Sequence, residues 1–396
     1  MSLHVLIAGG GIGGMAAALA LLRAGFDVDV YEQTHVLREV GAGVQISANG
    51  NCALYALGLR RAMEALAVET QGKEIRLWNT GQTWKLFDLG PVSVERYGYP
   101  YCTVWRPDLL SVLAEAVRGI KPDAVHLGAK CAGFTQEDAG VSLRLEDGRL
   151  VAGDVLVGAD GVHSVIRSQL FGTGKANFTG FAAWRGVMPM ERLPAHLRRP
   201  IGTNWVGPGS HVVHYPLRGG ALMNFVGFVE RPNWEIESWM APGNPSELAR
   251  DFTGWHDDVQ AMIREIDEPY QWALASRPPL ERWRVGRATL LGDACHPTLP
   301  MLAQGAVMAL EDGFILARCL SAFDSVDVAL QRYEQARIER TTRIVRGSAE
   351  NGERFHNKKL GEAAEAQRFV DTEWAKQQVD DRYDWLFRYD VTSVSL

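Results

Sequence analysis

The 396-residue chain is poor in cysteine. Its five cysteines, Cys52, Cys102, Cys131, Cys295 and Cys319, are scattered, odd in number and never spaced C-x-x-C. That pattern excludes a disulfide framework and fits a reducing cytoplasm. No apolar run reaches the ~18 residues of a membrane span. The stretch "MAAALALLRAGF" has no basic leader and contains Arg23, so a signal peptide is not expected. Blocks of like charge are missing, and a net charge of -6 argues against nucleic acid as the main partner. Internal repeats and low-complexity linkers are absent too. With 46% hydrophobic and 22% charged residues the chain reads as globular, and it is too long for one ordinary core. Tryptophan is plentiful, at twelve, which suits either plain core or an aromatic-lined pocket.

The strongest local signal is "HVLIAGGGIGGMAAALALLRAGFDVDVYEQ". A short apolar run at residues 5–8 has the character of a buried parallel strand. Gly9, Gly11 and Gly14 then form G-x-G-x-x-G, an Ala/Leu-rich helix follows, and Gly25 sits where it should stop. Gly9 permits a tight turn, Gly11 lets backbone approach a pyrophosphate, and Gly14 lets the helix pack close to the strand. The helix N-terminus offers free N–H groups to phosphate. Glu32 ends a second strand, 23 residues past Gly9, where a carboxylate can accept from ribose hydroxyls. The chain then passes through a Gly-rich turn, Gly41 and Gly43, instead of continuing as a plain dehydrogenase would.

Two more stretches end apolar strands in an aspartate. "LVAGDVLVGADGVHSVIRSQL" turns at Asp160-Gly161 into a helix with Ser164 and Arg167, and "RATLLGDACHP" ends at Gly292-Asp293. In α/β folds ligand contacts gather at such strand ends. Asp293, Cys295 and His296 stand side by side, but no supporting H-x-x-x-H or C-x-x-C pair occurs, so no metal is expected.

Taken in order, G-x-G-x-x-G with Glu32, "GADGVHSVIR" and "LLGDACHPTLPMLAQGAVMALEDG" resemble the single-component FAD-dependent aromatic hydroxylases. That family includes salicylate hydroxylase, 3-hydroxybenzoate 6-hydroxylase and 6-hydroxynicotinate 3-monooxygenase. The resemblance spans residues 3 to 345. It implies that Gly9, Gly11, Gly14 and Glu32 hold the ADP half of FAD, that Arg106 in "VWRPDLL" contacts the flavin region, and that Asp160 serves both FAD and NAD(P)H. It gives Asp293 the ribityl or ribose part, and sets the backbone near Gln304, Gly305 and Ala306 against the isoalloxazine. The implied activity is NAD(P)H- and FAD-dependent hydroxylation of a small aromatic acid or phenol by O2, through a flavin C4a-hydroperoxide. NADH or NADPH would be a transient co-substrate, since there is no second G-x-G-x-x-G.

Such chemistry needs positive potential near the reduced flavin, a dry pocket, and a base for the ring hydroxyl. The segment from Gln304 onward reads as a helix whose N-terminus supplies the first, with Pro297 and Pro300 keeping the preceding loop non-helical. Trp205, Val213, Tyr215, Met223 and Phe225 are apolar or aromatic candidates for the second. The last four lie on two runs, 210–217 and 221–229, that read as a β-hairpin turning at Gly219-Gly220. His211 and His214 are candidates for the third. Strand alternation puts His211, Val213 and Tyr215 on one face and His214 on the other. The resemblance selects His211, and with it Tyr215 and Gln304 as catalytic candidates; a Gln at a helix start is equally a cap. Gln45 stands where 6-hydroxynicotinate enzymes carry histidine, which weakens that decarboxylating alternative. Arg185 is a candidate for a substrate carboxylate or for a flavin-lining or structural role.

The expected fold is α/β: a Rossmann-like FAD-binding domain of residues 1–72, 100–180 and 270–345, and a mostly antiparallel β-sheet substrate domain of residues 73–99 and 181–269. A C-terminal helical segment and tail, 346–396, would cover them. A homodimer is one possible assembly. A flavin oxidase or dehydrogenase without oxygen insertion, and a FAD-containing regulatory protein, are the competing readings.

Overall fold

The apolar run at residues 5–8 lies inside a six-stranded sheet in the computed structural model, which describes residues 2–37, 42–174, 177–231 and 241–396. The strand order is Arg284–Val285, Ala288–Leu290, Val155–Gly158, His4–Ala8, Asp27–Glu32 and Val125–Leu127. All neighbours are parallel except the first pair. Val5, Leu6, Ile7 and Ala8 are wholly buried because both faces are covered, so their strand cannot alternate with polar residues.

The helix Ile12–Arg23 leaves this sheet and crosses the helix Gly305–Ala322 at very short range. A Cβ on Gly313 would lie 2.6 Å from the backbone nitrogen of Ala17. Only glycine permits that crossing, and the crossing brings the N-termini of the two helices to one place.

The second layer is an eight-stranded sheet in the order Ala241–Pro242, Tyr270–Ser276, Asn177–Pro189, Leu222–Glu230, Ser210–Leu217, Ile201–Gly207, Gly72–Leu77 and Thr83–Asp88. It is antiparallel apart from the parallel pairing of Ile201–Gly207 with Gly72–Leu77. Tyr270–Ser276, grouped by the sequence with the cofactor unit, is hydrogen-bonded into this sheet. The hairpin turns through Arg218–Gly220, a short 3-10 element in which Arg218, Gly219 and Gly220 all have positive φ. Pro300 likewise opens a 3-10 turn, Pro300–Leu302, rather than extended loop. Gly41 lies outside the described residues.

The helix Val326–Phe355 runs unbroken through residue 346, so the C-terminal segment does not begin there. Helices Ala363–Glu373 and Lys376–Phe387 follow it. Phe387 meets the rings of Phe87, Tyr97 and Tyr101, while Trp385 and Tyr389 lie under Arg343 and Arg340 at 3.7 Å each. The tail is thus clamped by ring and cation contacts. Among the described residues no helix is long and apolar enough to cross a membrane.

Candidate active site

Neither helix terminus is closed by its own N-cap side chain. Gly11 has none to offer, and the side chain of Gln304 makes no cap hydrogen bond. Both termini open on one cavity of about 340 Å³, lined there by Gly11, Ile12, Gly13, Gly305, Ala306 and Ala309. Free N–H groups and two positive dipole ends make this wall a seat for anionic groups.

The glycines divide by role. Gly9 adopts φ +108°, and a Cβ there would lie 2.3 Å from the Ala159 carbonyl oxygen. A Cβ on Gly14 would lie 2.0 Å from the oxygen of Gly9. Both serve the turn and its packing. A Cβ on Gly11 meets no atom within 4 Å and would extend into open space beside the cavity. The groove therefore fits a pyrophosphate drawn against bare backbone.

The acidic candidates also separate. Asp293 lines the cavity together with Arg106. It keeps a solvent-facing surface yet is ringed by protein. That crowding pushes its carboxyl pKa up, against the pull of His296 and Arg106. Glu32 does not line the cavity; it accepts from Gly10 N at 2.7 Å and Thr34 N at 2.9 Å, and so braces the phosphate turn. Asp160 accepts from the Ser164 hydroxyl at 2.5 Å and from Val165 N at 2.7 Å. Its carboxylate caps the helix Val165–Phe171, and its flanking residues Ala159 and Gly161 are the ones that reach the cavity.

The opposite wall is one face of the eight-stranded sheet. Ladder register sets Asn204 opposite Val213, Val213 opposite Val226, and Val226 opposite Arg185. His211, Val213 and Tyr215 line the cavity from their own strand, with Phe228 and Trp272 beside them. Alternation turns Trp205, Met223 and Phe225 to the other face, into a separate apolar cluster, which corrects their expected place in the pocket. His214 is there too, its pKa pushed down to about 3 by burial and by Arg76 and Arg199.

Gln304 is not brought to the cavity lining. Its amide nitrogen donates to Ser47 Oγ at 2.9 Å and its oxygen accepts from Asn49 at 3.0 Å, so it ties the helix Ala48–Ala56 to the helix it precedes. That satisfied, buried amide is a brace, and only the backbone after it faces the space. Gln45 does line the cavity and accepts from Tyr101 Oη at 3.0 Å.

Among the lining side chains missed from the sequence are Lys73, Asn204, Trp272 and Tyr383. Lys73 shares the alternation of Ile75 and Leu77, and only that parity could have marked it. Its ammonium stands 4.8 Å from the Tyr101 ring centre, and burial pushes its pKa down to about 7. Arg185 stacks over Trp272 at 4.4 Å. Tyr383 comes from the C-terminal segment, which no local motif connects to the pocket.

Behind the cavity, Cys295, His296 and Asp312 gather ligand-type atoms within 4.8 Å of one another. Asp312 is already engaged by His296 Nε2 at 2.6 Å, Arg337 Nε at 2.7 Å and Gly292 N at 3.1 Å. Cys295 points its thiol to the Gly292 oxygen at 3.3 Å, and burial holds its pKa well up. A guanidinium already balances the carboxylate charge that a metal ion would need.

A dinucleotide fold whose two open helix termini share a cavity with an aromatic-walled sheet has the site of a flavin-dependent enzyme. The family model described as FAD binding domain matches residues 2–348, and the chain belongs to that family. It is 38% identical to a 3-amino-4-hydroxybenzoate 2-monooxygenase of Streptomyces platensis, over 99% of this chain and 97% of that one. It is 35% identical to a 3-hydroxybenzoate 6-hydroxylase of Polaromonas naphthalenivorans, over 98% and 96%. The structure of Klebsiella pneumoniae HpxO complexed with FAD and uric acid superposes with a TM-score of 0.83 at 26% identity, covering 99% of this chain and 97% of that one. The chain is an FAD-dependent monooxygenase of the aromatic-hydroxylating type.

Proposed function

We propose that the substrate is an aromatic acid bearing a ring hydroxyl, held with its carboxylate toward Lys73 and its hydroxyl toward His211. The observation that carries this reading is one sheet face that presents a cation and a neutral imidazole to the same cavity. Lys73 has no carboxylate of the protein within ion-pair distance among the described residues, so an anionic ligand group gains a partner there without breaking one.

When bound and reduced by the nicotinamide, FAD would supply the electrons that activate O2, one of whose oxygen atoms is transferred to the ring while the other leaves as water. The protein's residues do the rest. Gly11 and the two helix N-termini hold negative charge. Leu302, Phe228, Phe355 and Trp272 give the pocket apolar walls that exclude water. His211 is kept unprotonated by burial, which leaves a ring nitrogen free to accept from a phenol. NADH or NADPH acts as a transient co-substrate. The named relatives act on benzoates carrying a hydroxyl group, which fits both ends of this site.

The test is a screen of hydroxy- and aminohydroxybenzoates for faster flavin reduction, with product identification. Coupled formation of a ring-hydroxylated product is the expected result. NAD(P)H consumption that yields only hydrogen peroxide with every acid would favour an oxidase.

A further inference from the structure

His211 does not stand alone. Its Nδ1 lies 2.5 Å from Nε2 of His356, at the end of the helix Val326–Phe355. His356 Nδ1 in turn lies 3.8 Å from Glu230 Oε1, a carboxylate whose side chain is 54% exposed. Among the described residues His356 Nδ1 is buried without a hydrogen-bond partner, and 3.8 Å is too long for one. The chain of groups therefore runs from a cavity-lining ring to the surface across one gap, which a water or a turn of the Glu230 side chain must bridge. Backbone bonds hold it in place: Gly209 N donates to the His356 oxygen at 3.1 Å, and Glu230 N donates to the Gly209 oxygen at 3.0 Å. Phe228 stacks on His211 at 4.2 Å, and Phe181 meets His356 edge-on at 4.8 Å. This apolar jacket keeps both rings neutral, with His356 pushed down to about 3 by burial and His211 held well below its ordinary value.

Two neutral imidazoles share one N–H, and a third group must decide which ring donates it. A carboxylate beside His356 Nδ1 favours N–H at that atom. His356 Nε2 then carries the lone pair and accepts from His211 Nδ1–H. His211 Nε2 is left as a bare acceptor, and among the described residues it has no other partner. Among the described residues, Glu230 is the titratable group that faces this pair of rings.

We propose that His356 and Glu230 are positioning residues that fix His211 as a proton acceptor and carry the substrate's hydroxyl proton out of the cavity. The inference rests on the phenolic-acid reading of the site. The substrate O–H bond breaks and its proton joins His211 Nε2. His211 Nδ1–H passes to His356 Nε2, and His356 Nδ1–H crosses to Glu230 through a bridging water or once the exposed Glu230 side chain turns toward it, and Glu230 releases the proton to solvent. No electrons change hands. When the product oxygen is reprotonated, the same transfers run backwards and restore both tautomers.

The test uses the FAD-loaded enzyme without nicotinamide, mixed with an accepted hydroxybenzoate and a pH-indicator dye. Glu230→Gln should slow proton release and flatten its pH dependence. His356→Phe should slow it on the order of 10²-fold, the low end of what a positioned base contributes. His356→Gln can still accept from His211 but cannot pass a proton on, so it should keep ligand affinity and lose the fast release. Wild-type release rates and pH profile in Glu230→Gln and His356→Gln would overturn the relay while leaving the functional reading intact. A wild-type enzyme that accepts no aromatic acid would instead sink the functional reading. The ¹⁵N spectrum of the histidines decides the arrangement without any substrate: His211 should be protonated at Nδ1 and bare at Nε2, and the reverse tautomer overturns the proposal.

Discussion

Arg337 donates through Nε to Asp312 Oδ1 over 2.7 Å, and neither side chain is reached by solvent. The same guanidinium holds Glu311 at 2.7 Å, and Arg340 and Asn49 complete that carboxylate's partners. Burial alone would push both acids up, but His296 with Arg337, and Arg340 with Arg337, override it and hold them below 3.8 and 4.5. Arg337→Met takes from two buried carboxylates the guanidinium they share and should cost about 3–5 kcal/mol in urea unfolding at neutral pH. Depressed acids stabilise the fold above their unfolded pKa values, and that contribution is lost as pH falls through the folded ones. The wild type should therefore lose stability below about pH 4, and the variant much less steeply.

Gly313→Ala would set a Cβ 2.6 Å from the Ala17 nitrogen, where backbone cannot yield cheaply. A better helix former gains up to about 1 kcal/mol, but overpacking costs about 1–3 kcal/mol. The net should be a lower thermal midpoint together with weaker FAD retention, because the two helix termini are forced apart. An unchanged midpoint would show that the helices can slide.

Gly11→Val is the counterpart. Nothing lies within 4 Å of its Cβ direction, and its φ of -72° suits any residue. The variant should fold with an ordinary unfolding midpoint but purify with little FAD. Full FAD content after dialysis would contradict the assignment of this groove to the pyrophosphate.

Lys73→Met should raise the dissociation constant for a hydroxybenzoate while sparing that for FAD. In the wild type, affinity for the carboxylate should fall as pH rises through about 7, where the free lysine loses its proton. Stability should move the other way. Between about 7 and 10.5 the unfolded chain holds a proton that the folded chain does not, so stability rises with pH across that window. Below pH 7 the methionine variant should melt higher than wild type. A variant that binds benzoates normally would remove Lys73 from the site.

What the sequence made legible was local. The phosphate turn, the strand ends before Asp160 and Asp293, and the face shared by His211 and Tyr215 each follow from a few consecutive residues obeying one periodicity. Gln304 misled because its chain position, at a helix start beside the cavity, says nothing about which way a long amide turns. Ser47 and Asn49, over 250 positions away, settle that. Lys73, His356 and Tyr383 were invisible for the same reason. Lys73 and Tyr383 reach the pocket, and His356 reaches the ring of His211 behind it, from segments whose own pattern describes only sheet or helix, and their meeting is a tertiary event. Glu32 and Asp160 were found as strand-end acids, but their hydrogen bonds brace the backbone around the groove rather than point into it.

The alternation along Ser210–Leu217 divides that strand's labour between odd and even positions. Residues 211, 213 and 215 border the reacting space, while Val212 and His214 are packed into the protein on the reverse side. A lineage can therefore explore new substrates by changing every second residue here, leaving the intervening ones to keep the sheet intact. A library randomised at the odd positions samples chemistry, and one randomised at the even positions samples survival.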